Sequence, residues 1–260
     1  MKVVLFCGGL GTRLREYSSA IPKPMVPVGP YPILWHVMEY YRHYGLNEFV
    51  LCLGYKAEVI EGYFSQHERG IDRGNVTQSH PHFRTPPPRP HGARITFVDT
   101  GLQRSIGERL WAVRDHVADD DIFLANYSDG LTDAPLDLMI EYFKAQNKVA
   151  MFLAVRPNFS YHLVEFDAND LVTEFRTSQQ SEIWINGGFF LFRPEFFNYM
   201  REGEELVEQP FHRLLEAKQL IAYKHRGFWA SMDTLKDKMI LEHMVEQGRT
   251  PWLPWIARRA

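Results

Sequence analysis

Residues 1–25, MKVVLFCGGLGTRLREYSSAIPKPM, decide how this chain folds. Residues 2–7 (KVVLFC) form a short β-branched and aromatic run, the signature of a buried strand. The run stops at Gly8-Gly9-Leu10-Gly11-Thr12-Arg13. Glycines at positions 8, 9 and 11 let the backbone approach a ligand closely and turn amide N–H groups toward it. Arg13, Arg15 and Lys23 add cationic side chains to the same loop, so the implied guest is a polyphosphate. The loop is not a P-loop, because no Lys-Ser/Thr pair closes the glycines. Nor is it the dinucleotide fingerprint, which needs a third glycine at a later position and has no place for Arg13 so early.

Outward from this loop, the first half alternates strand and helix. Residues 33–44 place Leu34, Val37, Met38 and Tyr41 on one helical face. Residues 48–53 read as a second strand and 57–64 as a second helix. Phe97 and Val98 fall in a third strand, residues 107–117 in a third helix, and 121–125 in a fourth strand. Such alternation means βαβ units, a mostly parallel Rossmann-like sheet and helices on both faces. Ligands bind such sheets at the carboxyl ends of the strands, where the glycine loop lies. The expected fold class is therefore α/β. From residue 148 the pattern changes to strands at 149–155, 162–166, 171–175 and 183–192 with short links, a β-rich second half. Short helices at 194–200 and 210–218 and a longer one at 234–247 follow. The expected organisation is one domain over 1–260, with a first half that carries the glycine loop (1–147) and a β-rich second half with the closing helix and tail (148–260).

Residues 68–93 carry Pro81, Pro86, Pro87, Pro88 and Pro90 among arginines, which forbids regular structure and suggests a loop over the site or against a neighbouring subunit. His80 and His82 have nothing nearby to complete a metal ligand set. The tail Pro251-Trp252-Leu253-Pro254-Trp255 is too apolar to stay in water and is expected to dock on the body or on a partner.

A formal net charge of −3 argues against a nucleic-acid partner. Two cysteines, Cys7 and Cys52, both inside expected strands, suit a reduced, cytoplasmic setting. The first residues enter a strand directly, without a signal-peptide pattern, and no apolar run approaches the ~20 residues of a membrane span.

Two carboxylates stand where chemistry is expected. Asp129, in Tyr127-Ser128-Asp129-Gly130, follows the apolar run IFLAN and so sits at a strand's carboxyl end, placed to hold Mg²⁺ against phosphate oxygens. An isolated Asp-Gly pair is more often a turn. Asp233, in Ser231-Met232-Asp233-Thr234, also ends a strand, and either Asp233 or Thr234 could instead cap the following helix. Asn186-Gly187-Gly188 interrupts an apolar strand, which indicates close approach of a ligand or a β-bulge. Trp184, just before this stretch, has a plain reading as a core residue.

GGLGTRL followed by PKPMVPVG resembles the nucleotide-binding loop of the sugar-1-phosphate nucleotidylyltransferases. The segment PILWHVMEYYRHYGLNEFVLCLGYKAEVIEGYF is similar to the glucose-1-phosphate cytidylyltransferase branch, as are VDTG at Val98, INGGFFLF at Ile185 and FWASMDTLKDK at Phe228. The resemblance implies CTP, or another nucleoside triphosphate, and a sugar 1-phosphate as substrates, Mg²⁺ as cofactor and a homo-oligomer. It implies that Gly8, Gly9, Gly11, Thr12, Arg13, Lys23, Arg109 and Ser128 bind the nucleotide, and that Arg13, Lys23 and Asp129 act in catalysis. Asp129 and Asp233 become the metal pair. Asn186, Gly187 and Trp184 fall on the sugar side. Arg109 takes the family's place near the base, although Ile106 and Glu108 replace an expected threonine and glycine beside it. The family's Glu-Lys-Pro before the sugar strand reads Phe175-Arg176-Thr177-Ser178-Gln179 here. Ser178 thus stands where a lysine grips the sugar's phosphate, and Arg176 is the nearest cation. A dTTP- or UTP-using enzyme is one alternative, and a nucleotide-sugar-binding regulatory homologue without turnover is another. Keeping both metal carboxylates argues against the second.

Overall fold

The computed structural model describes residues 1–11, 14, 17, 20–65, 92–157, 161–177 and 182–253. In chain order the strands are β1 (Val3–Phe6), β2 (Pro27–Val28), β3 (Tyr31–Pro32), β4 (Glu48–Leu53), β5 (Arg94–Asp99), β6 (Phe123–Asn126), β7 (Gly130–Thr132), β8 (Ala150–Val155), β9 (His162–Phe166), β10 (Val172–Thr177), β11 (Ile185–Phe192), β12 (Leu220–His225) and β13 (Trp229–Ser231). The helices are α1 (Ile33–His43), α2 (Ala57–Ser65), α3 (Ile106–Ala112), α4 (Arg114–Val117), α5 (Leu136–Gln146), α6 (Gln209–Glu216) and α7 (Leu235–Glu246).

Seven strands form one sheet in the order β12-β8-β11-β6-β1-β4-β5. All run parallel except β11, which is antiparallel to both β6 and β8. The fold is therefore α/β with a mostly parallel central sheet, as expected. Strands from both halves of the chain enter this sheet, while the β9–β10 ribbon and the β7–β13 pair stand apart from it.

The centre of the sheet is apolar on both faces because helices cover both. Within β1, Val3 and Leu5 join the core that holds α1, α2, α5 and α7, while Val4 and Phe6 join the core that holds α3, α4 and α6. That is why the run reads as continuously hydrophobic rather than alternating.

Three expectations need correction. The helix expected over 107–117 breaks at Val113, whose φ of −103° and ψ of 9° leave the helical region and separate α3 from α4. The helix expected over 194–200 is a 3₁₀ helix, Pro194–Tyr199. Helix α5 and strand β12 have no counterpart in the sequence expectations. The expectation for 68–93 falls on residues outside the described set, apart from Gly92 and Ala93.

The described part of the tail docks on the body through Trp252 and Leu253. Trp252 is fully buried and its ring lies 5.4 Å from that of Phe228. Its indole N–H donates to Nδ1 of the buried His36 at 3.2 Å. Indole can only donate, so Nδ1 is the acceptor and Nε2 carries the proton that bonds Val28 O at 2.9 Å. Burial pulls the His36 pKa from 6.5 to about 4, against a smaller upward pull from Val28. A neutral His36 therefore stabilises the fold fully above pH 6.5, and this contribution is lost as the pH falls through about 4. The amount lost is about 3 kcal/mol. Urea unfolding of wild type and His36→Gln across that window should show a shallower acid slope in the variant. Equal slopes would remove His36 as the cause.

Candidate active site

Lys23 opens a one-turn 3₁₀ helix, Lys23–Met25, between Pro22 and Pro24, with Ile21 and Met25 buried on either side. The prolines fix the backbone there, so the side chain leaves a rigid mount. Its Nζ lies 2.7 Å from Asp129 Oδ2 and 2.8 Å from Asp233 Oδ1. The two acids come together because β7 and β13 pair with Gly130 opposite Ser231, and Met232 N–H continues the ladder to Asp129 O at 2.9 Å. Ser231 Oγ donates to the other oxygen of Asp233 at 3.0 Å. The cap of α7 falls to Thr234, which forms a capping box with Asp237, so the Asp233 carboxylate is directed to Lys23 and Ser231 instead. Burial alone would pull the Lys23 ammonium down, but attraction to Asp129 and then Asp233 outweighs it and raises the pKa.

Two cavities meet at this cluster. One, of about 340 Å³, is lined by Phe6, Gly9, Gly11, Lys23 and Ile106. The other, of about 400 Å³, is lined by Pro157, Asn186, Trp229, Ser231 and Asp233. Tyr127 and Asp129 border both.

Gly11 has a φ of 62°. Thr12 and Arg13 lie outside the described residues. Gly9 has open space around it, whereas a side chain on Gly8 would meet the guanidinium of Arg109, with Nη1 2.1 Å from the added carbon. Arg109 is itself buried. Its Nη1 donates to Leu53 O, Thr100 Oγ1 and Gly101 O, and its Nη2 to Gly8 O and Leu102 O. The guanidinium is thus placed beneath the loop, among protein acceptors. Arg109 ties the carboxyl ends of β1, β4 and β5 together beneath the loop, its Nη donors engaged by four carbonyls and the Thr100 hydroxyl. Gly8 is required by this clamp.

Ser128 is likewise engaged within the protein. Its N–H bonds the Asn126 side chain at 2.7 Å, which holds it at a φ of 67°. Its hydroxyl is buried 3.4 Å from Cys7 Sγ rather than facing a ligand. Burial pushes the Cys7 thiol up to about 12, with Ser128 pulling slightly the other way, so no thiolate is available there.

On the sugar side, Asn186 and Gly187 both line the larger cavity. Asn186 accepts from Gly188 N at 2.9 Å and reaches the Tyr127 hydroxyl at 3.4 Å. Gly187 O accepts from the Trp229 indole at 2.8 Å. Trp184 is half-buried and surrounded by Arg156, Lys224 and Arg226, each 5.2 to 5.5 Å from its ring, so its faces are engaged by cations rather than open to a pyranose. Arg176 turns to Glu174 and Glu165 on the β9–β10 ribbon and so does not serve as a substitute cation. Ser178 lies outside the described residues. Tyr127, Trp229, Ser231 and Ile106 had no assigned role in the sequence reading. Strand alternation around Asp129 and Asp233 was the available signal for the first three.

Residues 2–241 match the Nucleotidyl transferase family. The chain belongs to that family. It is 36% identical over 256 residues to the glucose-1-phosphate cytidylyltransferase of Salmonella typhi, covering 98% of this chain and all of that protein. Identity to the D-glycero-alpha-D-manno-heptose 1-phosphate guanylyltransferase of Campylobacter jejuni is 29% over 216 residues, 81% of this chain and 84% of that one. Among solved structures, an apo UDP-glucose pyrophosphorylase superimposes with a TM-score of 0.67 at 15% identity, covering 96% of this chain and all of the other. The last likeness concerns the fold alone.

Proposed function

We propose that this chain is a sugar-1-phosphate nucleotidylyltransferase that uses CTP and makes a CDP-sugar with release of pyrophosphate. The observation that carries the reading is the Asp129–Lys23–Asp233 cluster at the junction of two cavities, one reached by the glycine loop and one by Asn186 and Gly187. The nucleotide occupies the first cavity and the sugar phosphate the second. The near-full-length likeness to a glucose-1-phosphate cytidylyltransferase supports CTP over dTTP or UTP.

The family relation supports a divalent metal, and the donor set fits Mg²⁺. Two carboxylates converge on a point already held by a cation, the Lys23 ammonium. Among the described residues no group of three or more His, Cys, Asp or Glu gathers elsewhere. Two carboxylates suffice, since Mg²⁺ takes its remaining ligands from phosphate and water. When bound by Asp129 and Asp233, the ion supplies charge neutralisation at the reacting phosphates.

The sugar phosphate oxygen attacks the α-phosphorus in line as the bond to the pyrophosphate oxygen breaks. The amides of Gly8, Gly9 and Gly11, with Thr12 and Arg13, grip the triphosphate, and Lys23 stabilises charge growing on the α-phosphate. No protein nucleophile is required, which agrees with a buried, protonated Cys7. Arg109 acts by holding the loop rather than by touching a base.

We read the enzyme as a cytoplasmic homo-oligomer. Free, buried Cys7 and Cys52 support the compartment, and Phe166, Leu171 and Phe175, exposed on and beside the β9–β10 ribbon, support association. Among the described residues no helix is long and apolar enough to cross a membrane.

The test is pyrophosphate release over CTP, dTTP, UTP and GTP, each with a panel of sugar 1-phosphates and Mg²⁺. CTP should give the highest kcat/KM by at least about tenfold, one base-discriminating contact's worth. Equal rates with all four triphosphates would overturn CTP use, and no release with any would overturn the enzyme.

A further inference from the structure

The cations around Trp184 are not used by the reaction described above. They meet because of register. Ile185 lies opposite Val155 on β8, and Val155 lies opposite His225 on β12, so the next residues, Trp184, Arg156 and Arg226, fall side by side beyond the strand ends. Lys224 stands two residues before Arg226, on the same face by alternation. His225 between them turns to Asp133 on the other side, at 2.6 Å. The three charges lie 5.2, 5.2 and 5.5 Å from one indole centroid. Arg156 pairs with Glu182 at 2.8 Å. Neither Lys224 nor Arg226 has an ion pair among the described residues. Three like charges around one ring with one facing carboxylate repel one another, an arrangement that an incoming anion relieves.

Their place indicates which anion. Trp184 stands two residues before Asn186, on the same face by alternation, and Asn186 lines the larger cavity, as does Pro157 next to Arg156. From β6, which leads to Asp129, β11 and then β8 are two strand spacings across, about 10 Å. A sugar 1-phosphate whose phosphate reaches Asp129 and Asp233 therefore presents the far side of its ring to the cluster. We propose that Arg156, Lys224 and Arg226, ordered around Trp184, form an anion subsite that selects acceptors carrying a second negative group, a carboxylate or a further phosphate, remote from the anomeric phosphate. This rests on the reading of Asp129 and Asp233 as the reaction centre.

The experiment compares glucose 1-phosphate, glucuronic acid 1-phosphate and glucose 1,6-bisphosphate as acceptors with CTP and Mg²⁺. Wild type and the double variant Lys224→Gln/Arg226→Gln are assayed by pyrophosphate release, and acceptor binding is measured by calorimetry. Wild type should favour at least one doubly charged acceptor by about tenfold or more through KM, the size of a charge-assisted hydrogen bond. The carboxylate and bisphosphate arms show which group is taken. In the variant that preference should collapse toward unity. A wild type that handles all three equally, or a variant that keeps the preference, overturns the subsite. If no acceptor is turned over, the enzymatic reading fails, and the calorimetric preference alone decides the subsite by the same two criteria.

Discussion

Asp129→Asn is expected to lower kcat about a thousandfold while the protein remains folded. Asparagine keeps the shape of the side chain but removes the charge that draws a divalent cation between this residue and Asp233. Loss of that charge stabilisation is worth several kcal/mol in the transition state, and about 4 kcal/mol corresponds to a thousandfold. The local backbone does not depend on the carboxylate, since Met232 N–H bonds the Asp129 main-chain oxygen. Lys23 keeps Asp233 as a partner at 2.8 Å. Asp233→Asn should behave similarly, with Ser231 left to bond an amide oxygen instead of a carboxylate. The two losses should not multiply, because both residues serve one ion. The measurement is pyrophosphate release at saturating Mg²⁺, with thermal unfolding as the control for folding. Wild-type turnover in either variant would remove the carboxylate pair from the mechanism.

The parts of this architecture that were legible in the sequence are those set by local pattern. Strand β4 was bounded correctly because residues 49–53 are buried on both faces and end at Gly54. Helix α1 showed its apolar face at helical spacing, and the glycine loop announced itself by composition. Helix α5 carries the same signal, with Leu136, Met139, Ile140 and Phe143 at the spacing of a buried stripe, yet it was missed. What local pattern does not carry is the partner a side chain finds across the sheet. Arg109 was read as a residue near the base, and only the convergence of β1, β4 and β5 shows five protein acceptors around its guanidinium. Trp184 looked like a sugar platform, and only the ends of β8 and β12 bring three cations to its ring. Asp129 and Asp233 were paired only through the family resemblance, and Lys23 was singled out separately, within the glycine loop. Their meeting depends on the β7–β13 pairing, more than a hundred residues apart in the chain.

Lys23→Ala is expected to separate metal binding from turnover. In the ligand-free protein the ammonium occupies the point where both carboxylates converge, so a divalent ion must displace it. Removing the side chain takes away the ammonium that faces both carboxylates, and the free enzyme should bind Mg²⁺ more tightly, by about tenfold, the effect of one nearby charge. Turnover should move the other way. If the displaced ammonium meets the α-phosphate, its charge matters most as that group reacts, and its loss should lower kcat by a hundredfold or so. Nucleotide affinity should change less, because the loop amides and Arg13 grip the triphosphate independently of Lys23. Calorimetric titration of Mg²⁺ into the free protein reads the first effect without requiring activity, and steady-state kinetics with CTP reads the second. If Lys23→Ala raised only KM with kcat intact, Lys23 would be a binding residue. If Mg²⁺ affinity also fell, the lysine would be organising the carboxylates rather than holding their place. Tighter metal binding together with slower chemistry is the result that a single mobile cation, shared between the carboxylate pair and the reacting phosphate, requires.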